Sequence, residues 1–402
     1  MNPRTYTSQR QAEPWPEPDE QARASSERLR ALIRERIAEA GGVLSFREFM
    51  QLALYAPGLG YYSGGSQKFG AGGDFVTAPE ISPLFGRTLA RALAPVISAL
   101  PGAELLEIGA GSGALAAELL AGLSALNALP ERYLILDVSA QLRSRQREHM
   151  RERLGELSER VVWLDDFPAA GFNGVAIANE LFDAMPVQRF CIDESGPLEL
   201  CVSATTDGFA WRERTPVDAR LGERISAIAA RLGHELATGY CSEINFAAED
   251  WLRSFAQRLA KGLLLILDYG YPRPEYYHPQ RIGGTLMCHY RHRAHDDPFQ
   301  LVGLQDITAH VDYTGLVEAA SEAGLALEGY TTQAHFLLGS GLMNEASTLM
   351  AGDTEQQLRV ANQIKRLTLP HEMGESFKVM ALTRGVDLAL AGFATRDLRH
   401  TL

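Results

Sequence analysis

The stretch Leu105-Leu106-Glu107-Ile108-Gly109-Ala110-Gly111-Ser112-Gly113-Ala114-Leu115-Ala116 is an apolar run that breaks into alternating glycines and resumes in a helix-like pattern. It predicts a buried strand, a tight turn and the start of a helix. Three glycines at every second position keep the turn free of Cβ atoms, so a ligand can lie against backbone N–H groups at the positive end of the following helix. A ligand with polar or charged groups belongs there. Gly109, Gly111 and Ala114 also satisfy the G-x-G-x-x-[GA] pattern of dinucleotide-binding folds, which taken alone is a weak signal.

Glu107 helps to choose between ligands. A carboxylate two residues before the first glycine repels a pyrophosphate but suits a cofactor carrying an ammonium and a sulfonium, as S-adenosylmethionine (SAM) does. Tyr133-Leu134-Ile135-Leu136-Asp137-Val138-Ser139 reads as a second strand ending in an acid, the place from which a carboxylate reaches ribose hydroxyls. Asp137 and Ser139 therefore support a nucleoside without choosing its type. A third strand, Val161-Val162-Trp163-Leu164, ends in Asp165-Asp166, where a carboxylate can accept an adenine amine; either aspartate could instead close a turn. The competing account of the whole region is a structural glycine turn with incidental acids.

The chain has 402 residues, 46% of them hydrophobic and 22% charged, so it is large enough for one elaborated domain or two. A net charge of −12 argues against broad nucleic-acid binding, which needs a basic face. Cationic partners fit better. The four cysteines, Cys191, Cys201, Cys241 and Cys288, show neither C-x-x-C nor zinc-type spacing, so no disulfide framework and no metal is expected, and a cytoplasmic setting follows. No apolar run reaches membrane-spanning length, and membrane insertion is not expected.

In chain order, residues 1–24 read as a mobile tail and 25–100 as an N-terminal helical and lid segment. Leu29, Leu32, Ile33 and Ile37 recur at helical spacing, and Ser45 with Glu48 has capping-box spacing before Phe46, Phe49, Met50 and Leu54. Gly60-Tyr61-Tyr62 and a glycine-rich run through Asp74 to Thr77 follow. Dense glycines permit turns that bring Asp74, Thr77 and Glu80 into one space, although Thr77, Pro79 and Glu80 also read as an N-cap, a first-turn proline and a capping-box acid. The core is expected in 101–187 and 262–390, interrupted by an inserted α+β subdomain at 188–261, with 391–402 as a C-terminal tail.

Gly174-Val175-Ala176-Ile177-Ala178 is a further strand, running into Asn179-Glu180-Leu181-Phe182-Asp183-Ala184. Ligands of doubly wound sheets lie outside the carboxyl ends of the strands, so Asn179, Glu180 and Asp183 should face the cofactor's reactive end. If the segment opens a helix, the two carboxylates share a face; a solvated helix start would account for them equally. Leu263 to Asp268 is a fifth buried strand, running into Tyr269. The many titratable groups between Thr285 and Asp312, His310 among them, match no zinc pattern and suit a substrate-side loop. Phe377 to Leu382 reads as a late strand.

Together these segments resemble the MidA-like family of SAM-dependent methyltransferases, whose mitochondrial members are respiratory complex I assembly factors. The resemblance runs from about Leu29 to Arg384. It rests on Gly60-Tyr61-Tyr62, Gly73 to Glu80, Glu107 to Gly113, Asn179 to Val187, Leu267-Asp268-Tyr269-Gly270 and Asp306-Ile307-Thr308-Ala309-His310-Val311-Asp312. Two departures stand out: Asp137 where Glu is frequent, and Gly283-Gly284-Thr285 where Arg-Gly-Thr is common. The resemblance implies an α/β class I methyltransferase fold, a Rossmann-like doubly wound sheet with an antiparallel edge strand. It also implies SAM as cofactor, with S-adenosylhomocysteine as product, and arginine methylation of a protein partner. A guanidinium calls for carboxylates that hold its fork and take a proton, and Glu180, Asp183 and Asn179 are the candidates. Asp74, Tyr62, Asp268, Tyr269 and His310 are candidates for the substrate side. A small-molecule acceptor, another protein side chain, or a SAM-binding assembly module with dispensable catalysis remain alternatives, and a homodimer is compatible with all of them.

Overall fold

The computed structural model describes residues 16–64, 77–137 and 139–402. Its centre is an eight-stranded sheet. The strands are β1 (Glu104–Ile108), β2 (Tyr133–Leu136), β3 (Val161–Leu164), β4 (Phe172–Asn179), β5 (Leu259–Tyr271), β6 (Val311–Asp312), β7 (Ala326–Thr332) and β8 (Phe377–Arg384). They run in the order β7-β8-β5-β4-β1-β2-β3, with β6 paired to the end of β5. The expected glycine-loop strand is β1, at the centre, and strand order reverses between β1 and β4, which opens a crevice there.

The apolar runs are continuous because the sheet is covered on both faces. On β5, Leu263, Leu265 and Leu267 enter one apolar core while Leu264 and Ile266 enter the other. Val175 and Ile177 against Ala176 and Ala178 do the same on β4. Each buried leucine or isoleucine contributes about 1.5–3 kcal/mol. Register carries the site: Ile108 pairs with Leu136 and Ala178, and Leu136 with Leu164, so the residues following β1 to β4 emerge along one edge.

Helices α1 (Glu20–Glu39), α2 (Phe46–Tyr55), α3 (Ala78–Ile81), α4 (Pro83–Ala99), α5 (Ala114–Ala125) and α6 (Ala140–Leu154) precede the mid-chain lobe; α7 (Phe246–Ala256) and α8 (Tyr313–Glu322) follow it. The capping box is present: Glu48 N–H donates to Ser45 Oγ at 3.2 Å, and Ser45 N–H to Glu48 at 3.3 Å.

Several expectations change. Helix α1 begins at Glu20, inside the stretch expected as a tail, because Asp19 accepts the Ala22 N–H at 2.8 Å and caps it. The antiparallel late strand β8 is not at the edge; it lies between β5 and β7. The edge is β7, whose Gly329 and polar residues hid it from apolar patterning. The inserted lobe is a separate five-stranded sheet that also takes Leu44–Ser45 from the N-terminal segment. Its upper boundary falls before α7, since Ala248, Leu252 and Phe255 pack in the main core. Residues 391–402 are docked: Phe393 packs on Phe336 with ring centroids 5.1 Å apart, and Leu398 N–H donates to Tyr330 O at 2.6 Å. Finally, Cys191 and Cys241, whose Cα atoms are 4.0 Å apart on paired strands of the lobe, form a disulfide. Sequence spacing could not foresee this pairing, because strand register brings the two together across 50 residues.

Candidate active site

A cavity of about 490 Å³ opens at the switch point between β1 and β4. This is within the range of small-molecule sites. Gly109, Gly111 and Ser112 form its floor, with Thr77, Pro79 and Glu80 of the α3 region above and Asn179, Glu180 and Leu181 at one end. The glycines of the loop have φ of 71°, 55° and 85° at positions 109, 111 and 113, a region that residues with a Cβ rarely adopt. Gly113 does not line the cavity; it is the N-cap residue before α5, and a Cβ there would lie 2.7 Å from Met150 Cε.

Six carboxyl residues, Glu80, Glu107, Asp137, Asp165, Asp166 and Glu180, line this cavity, and no Lys or Arg does among the described residues. A pyrophosphate would meet no cation on these walls, whereas an ammonium and a sulfonium would be compensated. Glu107 accepts the Tyr133 hydroxyl at 2.6 Å. Burial pushes its carboxyl up to about 7, the Tyr133 bond opposing and the Asp137 charge adding to the rise. Asp137 Oδ1 accepts Ser139 N–H and its Oδ2 accepts Gln146 Nε2, both at 2.9 Å, which fixes the carboxylate at the cavity wall. Ser139 instead caps α6 through its Oγ, and it is not on the wall. Asp165 is paired with Arg143, which also donates to Leu164 O and Asp137 O and so ties the ends of β2 and β3 together.

Phe167 and Trp251 complete the apolar side, their ring centroids 5.2 Å apart in an edge-on arrangement. Neither was evident from sequence, because Trp251 comes from α7, beyond the inserted lobe. The lid residues behave differently from a simple capped helix. Thr77 makes no side-chain cap, and Glu80 reaches across to Ser112 Oγ, joining α3 to the glycine loop. Asp74 lies outside the described residues.

At the far end the chain does not form a helix after β4. Residues 180–186 form an irregular turn with no helix, and Glu180 has φ 50°. Glu180 and Asp183 therefore do not share a helical face. Glu180 lines the cavity, accepting the Asn179 Nδ2 at 3.2 Å and the Ala78 N–H at 3.4 Å, while buried Asn179 Oδ1 has no hydrogen-bond partner. Asp183 is only 6% exposed and lies behind the wall, with its Oδ1 unpartnered. Burial pushes Glu180 up to about 8, with Asp183 and then Asp306 opposing its ionisation and the Ala78 and Asn179 bonds favouring it. Burial likewise pushes the Asp183 carboxyl up, the neighbouring Tyr269 hydroxyl opposing.

The other substrate-side candidates divide. Tyr62 lines the cavity, its hydroxyl donating to Asp306 at 2.9 Å, and it stacks on Tyr55 at 5.4 Å. Tyr55 in turn donates to Ala184 O at 3.1 Å. Tyr55 and Asp306 are additions: the sequence showed Asp306 in a titratable run and in the Asp306–Asp312 segment, but gave it no role at the site. Asp268 and Tyr269 are not on the wall. His310 is also set back, stacked on Tyr271 at 5.2 Å and edge-on to Tyr269 at 4.9 Å. Burial lowers its imidazole to about 4, the Arg281 charge assisting, so it is neutral at physiological pH.

A family model for S-adenosyl-L-methionine-dependent methyltransferases matches residues 88–331. The chain belongs to that methyltransferase family. Its structure superposes with a TM-score of 0.92 on a COG1565 superfamily member from Burkholderia thailandensis crystallised with S-adenosyl-homocysteine, at 46% identity over 96% of this chain and 100% of the other. Among curated proteins it is similar to the protein arginine methyltransferase NDUFAF7 of Danio rerio, 29% identical over 87% of this chain and 86% of the relative. The Drosophila melanogaster homologue is 27% identical over 92% and 88%. This methyltransferase uses SAM, and the acid-lined glycine cradle fits that cofactor.

One consequence is measurable. If Glu107 faces the cofactor's positive charge it has to be ionised, and a carboxyl raised to about 7 is mostly protonated at pH 6, so binding would expel a proton there. SAM affinity should rise several-fold between pH 6 and pH 7.5, and Glu107→Gln should flatten the rise. Calorimetric titration across that range checks both; a wild-type affinity independent of pH would rule out the role of Glu107.

Proposed function

We propose that this methyltransferase transfers a methyl group to a guanidinium nitrogen of an arginine on a protein partner. The observation that carries the reading is Glu180, a carboxyl on the cavity wall at the end of β4, backed by Asp183 and by Asp306 close enough to oppose its ionisation. The names of the curated relatives favour the same acceptor.

SAM, when bound, supplies an electrophilic methyl group. Gly109 and Gly111 would offer backbone to it, Glu107 and Asp137 would face its charged and hydroxyl groups, and Asp165, Asp166, Phe167 and Trp251 would close around the base. Glu180 Oε would hold the acceptor fork and take the proton that the nitrogen releases. Arriving positive charge lowers the pKa of a raised carboxyl, so the acceptor itself would convert Glu180 to the ionised form it requires. The remaining rate gain would come from alignment of the acceptor nitrogen with the methyl group in the cavity.

The test incubates the protein with radiolabelled SAM and an extract of cells lacking this chain, followed by acid hydrolysis and amino-acid analysis. Label is expected in methylated arginine; label in methyl-lysine, or released as a base-labile ester, would refute the reading. Asp183→Asn removes one negative charge behind Glu180 while keeping shape, which weakens the field that would hold a guanidinium there. Transfer should fall about 10- to 100-fold with SAM affinity nearly unchanged. An Asp183→Asn protein that transfers normally would remove this residue from the acceptor side.

A further inference from the structure

Leu267-Asp268-Tyr269 lies at the end of β5, beside the turn that carries Glu180. Asp268 is fully buried and does not line the cavity. One of its oxygens accepts three consecutive backbone N–H groups, from Leu181 at 3.2 Å, Phe182 at 2.9 Å and Asp183 at 3.3 Å. The other accepts the Tyr269 N–H at 2.9 Å. The Glu180 N–H goes to Leu267 O at 2.9 Å, one residue before Asp268. Every N–H from 180 to 183 is thus fastened to the end of β5.

The carbonyl side of the same turn is held independently. Asn245 Nδ2 donates to Phe182 O at 3.1 Å and Met185 O at 3.3 Å, and Tyr55 takes Ala184 O. Between these two grips Glu180 keeps a left-handed backbone, which a residue with a Cβ holds only under restraint. The converging N–H groups would otherwise be buried donors without partners, which would favour a different turn.

We propose that Asp268 is a positioning residue for methyl transfer, gripping the 181–183 backbone so that Glu180 faces the cavity. It has no contact with the acceptor. This inference rests on the reading of Glu180 as the acceptor-side carboxyl. Asn at 268 could still offer one oxygen to the three N–H groups, but its amide would then point a donor at the Tyr269 N–H. The turn would loosen without a change in side-chain size.

The test compares Asp268→Asn, Glu180→Gln and the double variant, measuring transfer of radiolabelled methyl into the same cell extract at saturating SAM, with SAM affinity by calorimetry. Asp268→Asn should be about 10- to 100-fold slow with SAM affinity within about threefold, and the double variant should be no slower than Glu180→Gln by more than about twofold. Effects that multiply, as a general structural defect would give, overturn the positioning role. A normal Asp268→Asn rate beside a dead Glu180→Gln refutes only Asp268, whereas a normal Glu180→Gln rate refutes the acceptor-side reading beneath it. Should Asp268→Asn fail to fold, hydrogen exchange of the wild-type protein decides. Slow exchange at Leu181, Phe182 and Asp183 supports the grip, and exchange at the rate of an open loop contradicts it.

Discussion

Replacing Glu180 by Gln is expected to slow methyl transfer by about a thousandfold while leaving SAM affinity within about threefold. The substitution keeps the shape of the side chain and an oxygen for the Ala78 and Asn179 donors. It removes the charge that would hold a guanidinium and the oxygen that would take its proton, two effects that together match the usual range for a general base. A second readout follows from the raised carboxyl. Glu180 binds its proton more tightly in the folded chain than in the unfolded one, so its stabilising contribution is complete below about pH 4.5 and is lost as pH rises through about 8. Thermal stability without ligands should therefore fall over that window, and less steeply in Glu180→Gln. Transfer at near-normal rate, with an unchanged pH profile of stability, would remove Glu180 from the mechanism.

Gly109→Val is expected to abolish cofactor binding rather than chemistry. Position 109 has φ 71°, where a β-branched residue is a severe outlier, and its N–H must still reach Leu136 O at 2.8 Å to close β1 against β2. The added side chain would project beside Leu181 Cδ1, 3.6 Å from the new Cβ, on the floor of the cavity. SAM affinity should drop by more than about 100-fold, with a loss of several degrees in Tm from the strain. Calorimetry and a melting curve separate the two effects. Binding within threefold of wild type would mean that the loop does not cradle the cofactor.

Much of this site was legible because its parts lie at strand ends. Apolar runs followed by Gly or an acid marked β1, β2, β3 and β5, and the parallel register then brings those acids together with no further information. The Asn179-Glu180 pair was placed for the same reason. What sequence could not supply was side-chain contact between distant segments. The Cys191–Cys241 bond, the docking of Trp251 beside Phe167, and the grip of Asp268 on the 181–183 turn each join residues many positions apart. Glu180 and Asp183 illustrate the limit most directly. Their spacing of three fits a helix, yet the buried carboxyl oxygen of Asp268 offers the local N–H groups a better partner and the turn wins. Edge strand β7 was missed because its seven residues carry a glycine and three hydroxyl groups rather than an apolar run.

The central claim, methylation of a protein arginine with Glu180 as the acceptor-side base, is tested most directly by quantitative mass spectrometry of whole-cell protein. Cells carrying the wild-type chain, cells lacking it, and cells carrying Glu180→Gln are compared. The account predicts at least one arginine whose methylation is present in the first and absent in both others. Loss of methyl groups only from lysine, glutamine or carboxyl side chains, or an arginine mark that survives in Glu180→Gln cells, would contradict it.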